Sequence, residues 1–547
     1  MVEVIPLGGV GEIGKNMMVL RHQEQILIVD AGLAFPTDEL YGVDLVVPDI
    51  QYLIEHKDEV KGIVLTHGHE DHVGALPYVL PEINVPVYGT EMTLALIRHK
   101  LTEKGLIENT ELIPMIPGEA FHVGVFEVLP VRVTHSIPET CSIAIKTSLG
   151  TIVMTGDFKF DLTPIGGKLS DMALLGRLGD NGVLLLMSDT TNVDCPGWGP
   201  SERLVGEELG RIIDKAPGRV LVTTFASNIH RLQQVMDCAK NAGRKVAVVG
   251  RRIEQTCEIA RDLGYLKYPS DLRIRVQDID QYAPNEVLIM TTGSQGEPLS
   301  ALSLMAQDEY PRMKITPGDT VILSASPIPG NESLIRKTIN RLVRQGANVI
   351  YTEIAPVHAS GHAHQEELKL MLCLLRPYYL APVHGEPRHQ HLYREMALNM
   401  GWTNDQIVQL DLGDRLILTS EGIEKGEKVP SGRVLIDSGG GSGIPEEIVR
   451  DRRHLASDGI VMVLVGLSAE TGEVLTEPEF VIKGLAVTDD SLWEEAKKLI
   501  MDKLAELSPA ETADSNAVEE ELADVLKKFL RKKAQRRPVI VPVVVEM

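Results

Sequence analysis

The stretch Thr66-His67-Gly68-His69-Glu70-Asp71-His72 puts three imidazoles and a carboxylate within six residues. Neutral imidazole nitrogens and carboxylate oxygens are ligands that Zn²⁺ and Mn²⁺ take, and the HxHxDH spacing lets neighbouring side chains point to two centres. A single histidine in a loop is ordinarily solvated, but this set predicts a metal site. Further candidates follow apolar, strand-like runs: His135 after Val128–Thr134, Asp157 after Thr151–Gly156, Asp189 after Leu184–Ser188, and His384 after Tyr379–Val383. A lone histidine such as His135 would more often be structural; its position between the metal loop and the next aspartate favours a ligand. Asp30 ends the run Ile26-Leu27-Ile28-Val29, where a buried carboxylate is costly unless it meets a cation or a histidine N–H.

The elements that must position these groups are legible as runs. Gly62-Ile63-Val64-Leu65 is short, β-branched and closed by a glycine-containing break, so it predicts a buried strand releasing the histidines at its C-terminal end, where α/β sheets place their chemistry. Residues 1–35 read as strand, glycine turn and hairpin. Gly9, Gly11 and Gly14 match GxGxxG, and Gly14-Lys15 resembles a phosphate loop. Both motifs need a helix immediately afterwards; here Asn16 stands where Ser or Thr would hold Mg²⁺ and a β-type run follows, so glycines bending a hairpin are the favoured reading. Beyond Asp189, strand-like runs at 220–225, 245–249, 287–292, 320–325 and 348–353 alternate with helical patterns near 229–242, 252–263 and 331–345. That alternation predicts βαβ units in a mainly parallel sheet. Strands at 407–410 and 415–418 follow His384. Past the glycine run 439–443, a plausible hinge, strands near 460–467, 479–484 and 539–545 and helices near 491–507 and 518–533 form a small α/β unit. The expected domains are 1–205 and 356–438 in one fold, 206–355 inserted within it, a linker at 439–450, and 451–547.

Composition narrows the class. A chain of 547 residues holds about two or three domains. No run approaches the roughly 20 apolar residues that span a bilayer. Met1-Val2-Glu3-Val4-Ile5-Pro6 lacks the basic and long apolar regions of a signal peptide. Cys141, Cys195, Cys238, Cys257 and Cys373 are odd in number and contain no CxxC pair, as in a reducing compartment. The expectation is a soluble cytoplasmic protein. The 54 basic and 77 acidic residues, net −23, count against a nucleic-acid partner if taken alone. They do not exclude one, because two divalent ions bring about four positive charges of their own.

The HxHxDH loop, Asp30 and Thr155-Gly156-Asp157 resemble motifs of the metallo-β-lactamase superfamily. The inserted alternation resembles the β-CASP domain of its nucleic-acid-processing members, whose extra motifs match Asp189, His362 and His384; members acting on DNA typically have Val in place of this last histidine. With Phe225–Arg231, Thr292–Pro298, Ser360-Gly361-His362 and Pro382–Glu386, the chain resembles the ribonuclease J family over essentially its full length. One departure is Ala363, where the family often has Gly. The resemblance implies a metallo-β-lactamase αββα sandwich with an inserted β-CASP α/β domain and a small C-terminal α/β domain. It implies two Zn²⁺ or Mn²⁺ per subunit, one on His67, His69 and His135, the other on Asp71, His72 and His384, with Asp157 bridging, Asp30 orienting the attacking hydroxide, and His362 as general acid paired with Asp189. It further implies a pocket for a 5′-monophosphate at Ser227, Asn228, His358, Ser360, Gly361 and His362; for Ser227-Asn228 a helix N-cap is the other reading, and the two are compatible. A structural Ca²⁺ would fall to Asp44 and Asp437. The implied activity is 5′-to-3′ exonuclease action on 5′-monophosphorylated single-stranded RNA with endonuclease cleavage, in mRNA decay and rRNA maturation. Implied partners are a second copy or a tetramer through the C-terminal domain and other RNA-degradation proteins, with no membrane. The basic run 527–537 suits RNA or, more simply, a solvated helix face. The competing readings are a small-molecule metallo-hydrolase of glyoxalase or lactamase type, against which the inserted domain and the Asp189–His362 set weigh, and a non-catalytic subunit of a degradation complex, which would show broken motifs.

Overall fold

The computed structural model describes residues 1–36, 40–297, 299–328, 331–437, 443–468, 471, 473–486, 490–507 and 514–547. Pro298 of the Thr292 motif and residues 439–442 of the glycine run lie outside them. The chain forms two compact units, Met1–Ala34 with Val46–Val434, and Phe35–Leu45 with Leu435–Met547.

In the larger unit the opening strands Val2–Gly8, Met17–His22 and Gln25–Val29 pair antiparallel. No helix follows the glycines, so the hairpin reading describes that turn. Val60–Val64, Val87–Gly89 and Leu112–Pro114 extend the sheet in parallel, and at the other side Arg415–Leu418 closes onto Val2–Val4 and carries Ile423–Gly426 at its outer edge, giving eight strands. A second, six-stranded sheet runs Tyr379–Val383, Val183–Asp189, Thr151–Met154, Cys141–Lys146, Phe126–Arg132, Phe121–Val123. Because side chains alternate along a strand, each strand of the second sheet serves two cores. Val128, Ile143, Ile152 and Leu185 meet Val4, Leu20, Leu27 and Val64 of the first sheet. Their neighbours Val131, Ala144, Val153 and Leu186 meet the helices Met172–Asn181, Gln365–Leu375 and Pro387–Asn399. Burial on both faces explains why these strands are continuous apolar runs in sequence.

The inserted sheet has six strands, all parallel, in the order Arg273–Ile274, Lys245–Val249, Val287–Thr291, Val220–Thr223, Thr320–Leu323, Asn348–Ile350. Helices Glu202–Lys215, Ile229–Asn241 and Arg251–Asp262 cover one face, and Ala301–Ala306 and Glu332–Arg344 the other. Met92 and Ile137 of the sandwich pack into the first of these cores, so sandwich and insert share apolar contact.

Several elements differ from expectation. Ile407–Leu410 is not a strand; only an isolated bridge joins Ile407 to Leu380. The metal loop runs into two short helices, Glu70–Val73 and Leu76–Val79. Where a linker to residue 450 is expected, Gly443–Ile444 pairs with Leu435 and Ile436 and a helix spans Glu446–Asp458; acidic residues in its first turn favour the helix N-terminus and Val449 is buried. Phe35–Leu45, assigned by sequence to the sandwich, belongs with the smaller unit: Asp44 N–H donates to the Ile436 carbonyl (2.9 Å) and Arg452 Nη1 to those of Tyr41 and Gly42 (3.3 and 2.8 Å).

In the smaller unit Ile460–Leu467 lies between Glu479–Lys483 and Val539–Glu546. Val461, Val463 and Val465 face the helices Asp490–Glu506 and Ser515–Lys533 through Ile500, Leu522 and Leu526. On the opposite face Ile460, Met462, Leu464, Val541 and Val543 are only half-buried and Val481 is exposed. Among the described residues no helix is long and apolar enough to cross a membrane.

Leu185 is fully buried between the sheets. Leu185→Ala is expected to lower the stability of the larger unit by roughly 2–5 kcal/mol, read as a shift of its denaturant midpoint with an unchanged slope.

Candidate metal centre

Strand ends deliver the site. Thr151–Met154, Val183–Asp189 and Tyr379–Val383 are mutually parallel, as are Gln25–Val29 and Val60–Val64, so the residues that follow them emerge together. Asp30 and His384 both sit at positive φ (63° and 50°), a region that costs a non-glycine residue of order 1–3 kcal/mol. Surrounding bonds impose it. Asp30 Oδ1 accepts from Thr66 N (2.8 Å), Oδ2 accepts from Thr66 Oγ1 (2.9 Å), and Oδ2 also lies 2.7 Å from His72 Nδ1. The buried carboxylate is therefore satisfied by a histidine N–H and a hydroxyl. With both oxygens so engaged, Asp30 fixes the orientation of the His72 ring and leaves Nε2 facing the site. Gly9 contributes a carbonyl to His384 N (2.6 Å), and Asn16 Nδ2 approaches His72 Nε2 (3.1 Å).

The structure brings the histidines and aspartates together in overlapping groups whose ligand atoms lie within 4.8 Å of one another: His67, His69, His135 and Asp157; Asp71, His72, Asp157 and His384; and Asp157, Asp189, His362 and His384. His67 Nε2 lies 3.0 Å and His135 Nε2 3.2 Å from His69 Nδ1, and each of those Nε2 atoms lies 3.6 Å from Asp157 Oδ2. Ligands at about 2.0–2.1 Å from a tetrahedral ion stand roughly 3.3 Å apart, so this spacing is that of one coordination shell. On the other side, Asp157 Oδ1 is 3.1 Å from His72 Nε2, and Asp71 Oδ2 is 3.3 Å from His384 Nε2. Asp157 Oδ1 and His384 Nε2 are buried with no hydrogen-bond partner. Orphaned buried atoms of this kind, within a ring of nitrogen and oxygen donors, fit divalent metal.

The electrostatics of His67, His69 and His135 agree with a donor role, whereas for His72 and His384 burial would lower the pKa but Asp157 above all raises it well above the ordinary imidazole range. Burial, reinforced by its histidine neighbours, holds His67 well below the ordinary imidazole range, and burial lowers His69 and brings His135 to about 3, so these three stay neutral and keep a lone pair to donate. For Asp157, burial would raise the pKa, but His72 and His384 hold it well below the usual carboxylate range.

His362 Nδ1 lies 2.8 Å from Asp189 Oδ2, while Asp189 Oδ1 accepts from Thr191 N (2.9 Å) and Thr191 Oγ1 (2.7 Å). His362 keeps 20% of its side chain exposed, with Nε2 3.8 Å from Asp157 Oδ2. Burial lowers its pKa, but Asp189 and then Asp157 outweigh this and raise it.

The 357–362 loop closes the site. His135 Nδ1 bonds the Gly361 carbonyl (2.7 Å), and Asn192 Nδ2 donates to Ser360 Oγ (2.7 Å) and to the His362 carbonyl (3.1 Å). Backbone N–H groups of His358, Ala359, Ser360 and Gly361 donate to no protein acceptor among the described residues. Asn228 is the N-cap of the helix Ile229–Asn241, accepting from Arg231 N (3.0 Å), with Ser227 half-buried just before it. Burial brings His358 down to about 4. Asp44 and Asp437 join none of the metal-competent groups found among the described residues; the Asp437 carboxylate faces Arg452 at 3.4 Å. Sequence reasoning missed Thr66, Asn16 and Asn192 as parts of the site, and Lys159 and Arg231, which hold carbonyls of the 357–362 loop from behind. For Lys159 a signal exists: a lysine between Phe158 and Phe160, directly after the motif aspartate, has to be buried.

An αββα sandwich whose strand ends and loops gather six histidines and three aspartates, interrupted by a parallel α/β insert, defines a metallo-hydrolase of the metallo-β-lactamase type. Residues 10–190 match the metallo-beta-lactamase superfamily and 348–405 a Zn-dependent metallo-hydrolase RNA specificity domain; 217–342 match the ribonuclease J beta-CASP domain and 447–547 the ribonuclease J C-terminal domain. The chain is 45% identical to ribonuclease J of Thermus thermophilus, over 100% of this chain and 95% of that protein, and 41% identical to ribonuclease J2 of Bacillus subtilis, over 100% and 99%. The chain belongs to the ribonuclease J family. A crystal structure of a protein of unknown function from Enterococcus faecalis V583 shares the fold, with TM-score 0.54 at 17% identity over 76% of this chain and 99% of that one.

A Cβ added at Gly361 would stand 2.5 Å from the His135 ring, which the Gly361 carbonyl itself holds. Gly361→Ala is expected to cut RNA cleavage at least about tenfold with unchanged circular dichroism, because the ring must leave the cluster.

Proposed function

We propose that this chain is a metal-dependent ribonuclease that removes nucleotides 5′ to 3′ from 5′-monophosphorylated single-stranded RNA and also cleaves internally, in mRNA decay and rRNA maturation. The observation that carries this is the His362–Asp189 pair standing beside the donor cluster and at the end of a loop of unpartnered amides. His67, His69, His135 and Asp157 would hold one divalent ion and Asp71, His72, His384 and Asp157 a second, Zn²⁺ or Mn²⁺ by donor type. Bound there, two such ions supply Lewis acidity and a water made acidic near neutral pH.

The remaining work falls to protein groups. His362, with Nδ1 fixed by Asp189, presents Nε2 towards Asp157 and donates a proton to the leaving 3′ oxygen. Products carry a 5′-phosphate and a 3′-hydroxyl. The amides of 358–361, with Ser360, Ser227 and Asn228, receive a terminal phosphate as neutral donors; exonuclease action follows from seating that end one nucleotide from the reacting bond. Asp30 keeps His72 in register. The half-buried apolar sheet face of the smaller unit supports a homodimer or homotetramer through that unit, and the free cysteines a cytoplasmic setting.

The test uses 3′-labelled RNAs that differ only in a 5′-monophosphate or triphosphate. Wild type should convert the monophosphorylated RNA to mononucleotides much faster, and His362→Ala should lose at least about a hundredfold in rate; equal internal cleavage of both RNAs would sink the exonuclease reading. A proton donor fails once pH rises through its pKa. Because Asp189 raises that of His362, Asp189→Asn should move the alkaline limb of kcat/KM to lower pH, whereas an unmoved limb would take His362 out of the acid role.

A further inference from the structure

Behind the 357–362 loop lie two cations that the reaction scheme leaves unused. Lys159 is 2% exposed and Arg231 fully buried. Lys159 Nζ donates to the carbonyls of Ser360 (3.0 Å) and Pro200 (2.9 Å). Arg231 Nη1 donates to the Val357 carbonyl (2.9 Å) and to Ser324 Oγ, Nε to Gln234 Oε1 (3.0 Å), and Nη2 to Glu202 Oε2 (2.6 Å). Glu202 thus neutralises Arg231. Lys159 has no carboxylate within ion-pair distance among the described residues; of the two acids nearest in sequence, Asp157 faces the histidine cluster and Asp161 is engaged by Thr163, Ser201 and Glu202.

A peptide unit is planar and trans, so its N–H points opposite to its carbonyl. Lys159, by holding the Ser360 carbonyl, turns the Gly361 amide away from itself; Arg231, by holding the Val357 carbonyl, does the same for the His358 amide. Those are the ends of the run of unpartnered amides. A neutral donor would brace the carbonyls equally well, and an unpaired buried ammonium is costly. The cost is offset where an anion arrives on the far side of the loop.

We infer that Lys159 and Arg231 are positioning residues that set the preference for a 5′-phosphate, both of them by turning the loop amides outward and Lys159 also by adding positive potential behind them. The inference rests on the phosphate-pocket reading above and goes beyond it in locating the source of selectivity in side chains that never touch RNA.

The test uses the full-length, metal-loaded chain and three RNAs of one sequence: linear with 5′-phosphate, linear with 5′-hydroxyl, and circular. Lys159→Met should raise KM for the 5′-phosphate RNA about tenfold with kcat little changed, and leave the other two within about twofold. Lys159→Arg, which keeps charge and donors, should recover most of the loss, and Arg231→Lys should fall between. Equal loss on all three RNAs would overturn the inference, since a plain structural brace lowers every activity together; an undiminished 5′-phosphate preference in Lys159→Met would overturn it too. If wild type itself fails to distinguish 5′-phosphate from 5′-hydroxyl, the pocket reading fails first and this inference with it. Lys159→Gln, smaller in its demands on folding, serves where Lys159→Met yields no soluble protein, with the same expected loss.

Discussion

The buried carboxylate of Asp157 is the constraint around which the larger unit is arranged. At 2% exposure it cannot stay ionised unless positive or proton-donating groups surround it. His67, His72, His135, His362 and His384 all approach one or other of its oxygens. They arrive from the HxHxDH loop, from the segments after two other strands and from the 357–362 loop, and three are oriented from behind by a second group: Asp30 for His72, the Gly361 carbonyl for His135, Asp189 for His362. The sandwich supplies stiffness for this crowding. Its parallel strands are buried on both faces, so their ends do not shift independently.

Two domains then share one loop. Residues 357–362 leave the inserted sheet and enter the sandwich, tied to the insert through Arg231 and to the sandwich through Lys159, Asn192 and His135. The His362 side chain and the loop amides are consequently held by the same few peptides.

Much of this was legible in the chain itself, for reasons that differ by element. HxHxDH is a local signal, and continuous runs such as Leu184–Met187 announce strands covered on both sides. The inserted strands stood out because turns and amphipathic helices separate them at regular spacing. Ile407–Leu410 was misread because an apolar alternation is necessary for a strand but pairing requires a partner, and only Leu380 offers one. The helix Glu446–Asp458 was hidden by the glycine run before it. Lys159 and Arg231 were invisible as a pair, since what joins them is a loop some 130 to 200 residues downstream, and nothing local marks a lysine as facing a carbonyl. Phe35–Leu45 was misplaced for the same reason: its partners, Ile436 and Arg452, lie far along the chain.

The split order of the sandwich has a consequence for synthesis. Strand Val183–Asp189 lies against Tyr379–Val383, and Val2–Val4 against Leu416–Leu418, with the whole insert translated between the halves. A ribosome-bound chain that has exposed the HxHxDH loop still lacks His362, His384 and the sheet edge that seats them. Domains fold as units, so the larger unit, whose opening strand needs Leu416–Leu418, is completed only after more than about three-quarters of the chain has been made. The order of elements along the chain thereby makes the donor cluster a late product of synthesis, although its first four ligands lie near the start.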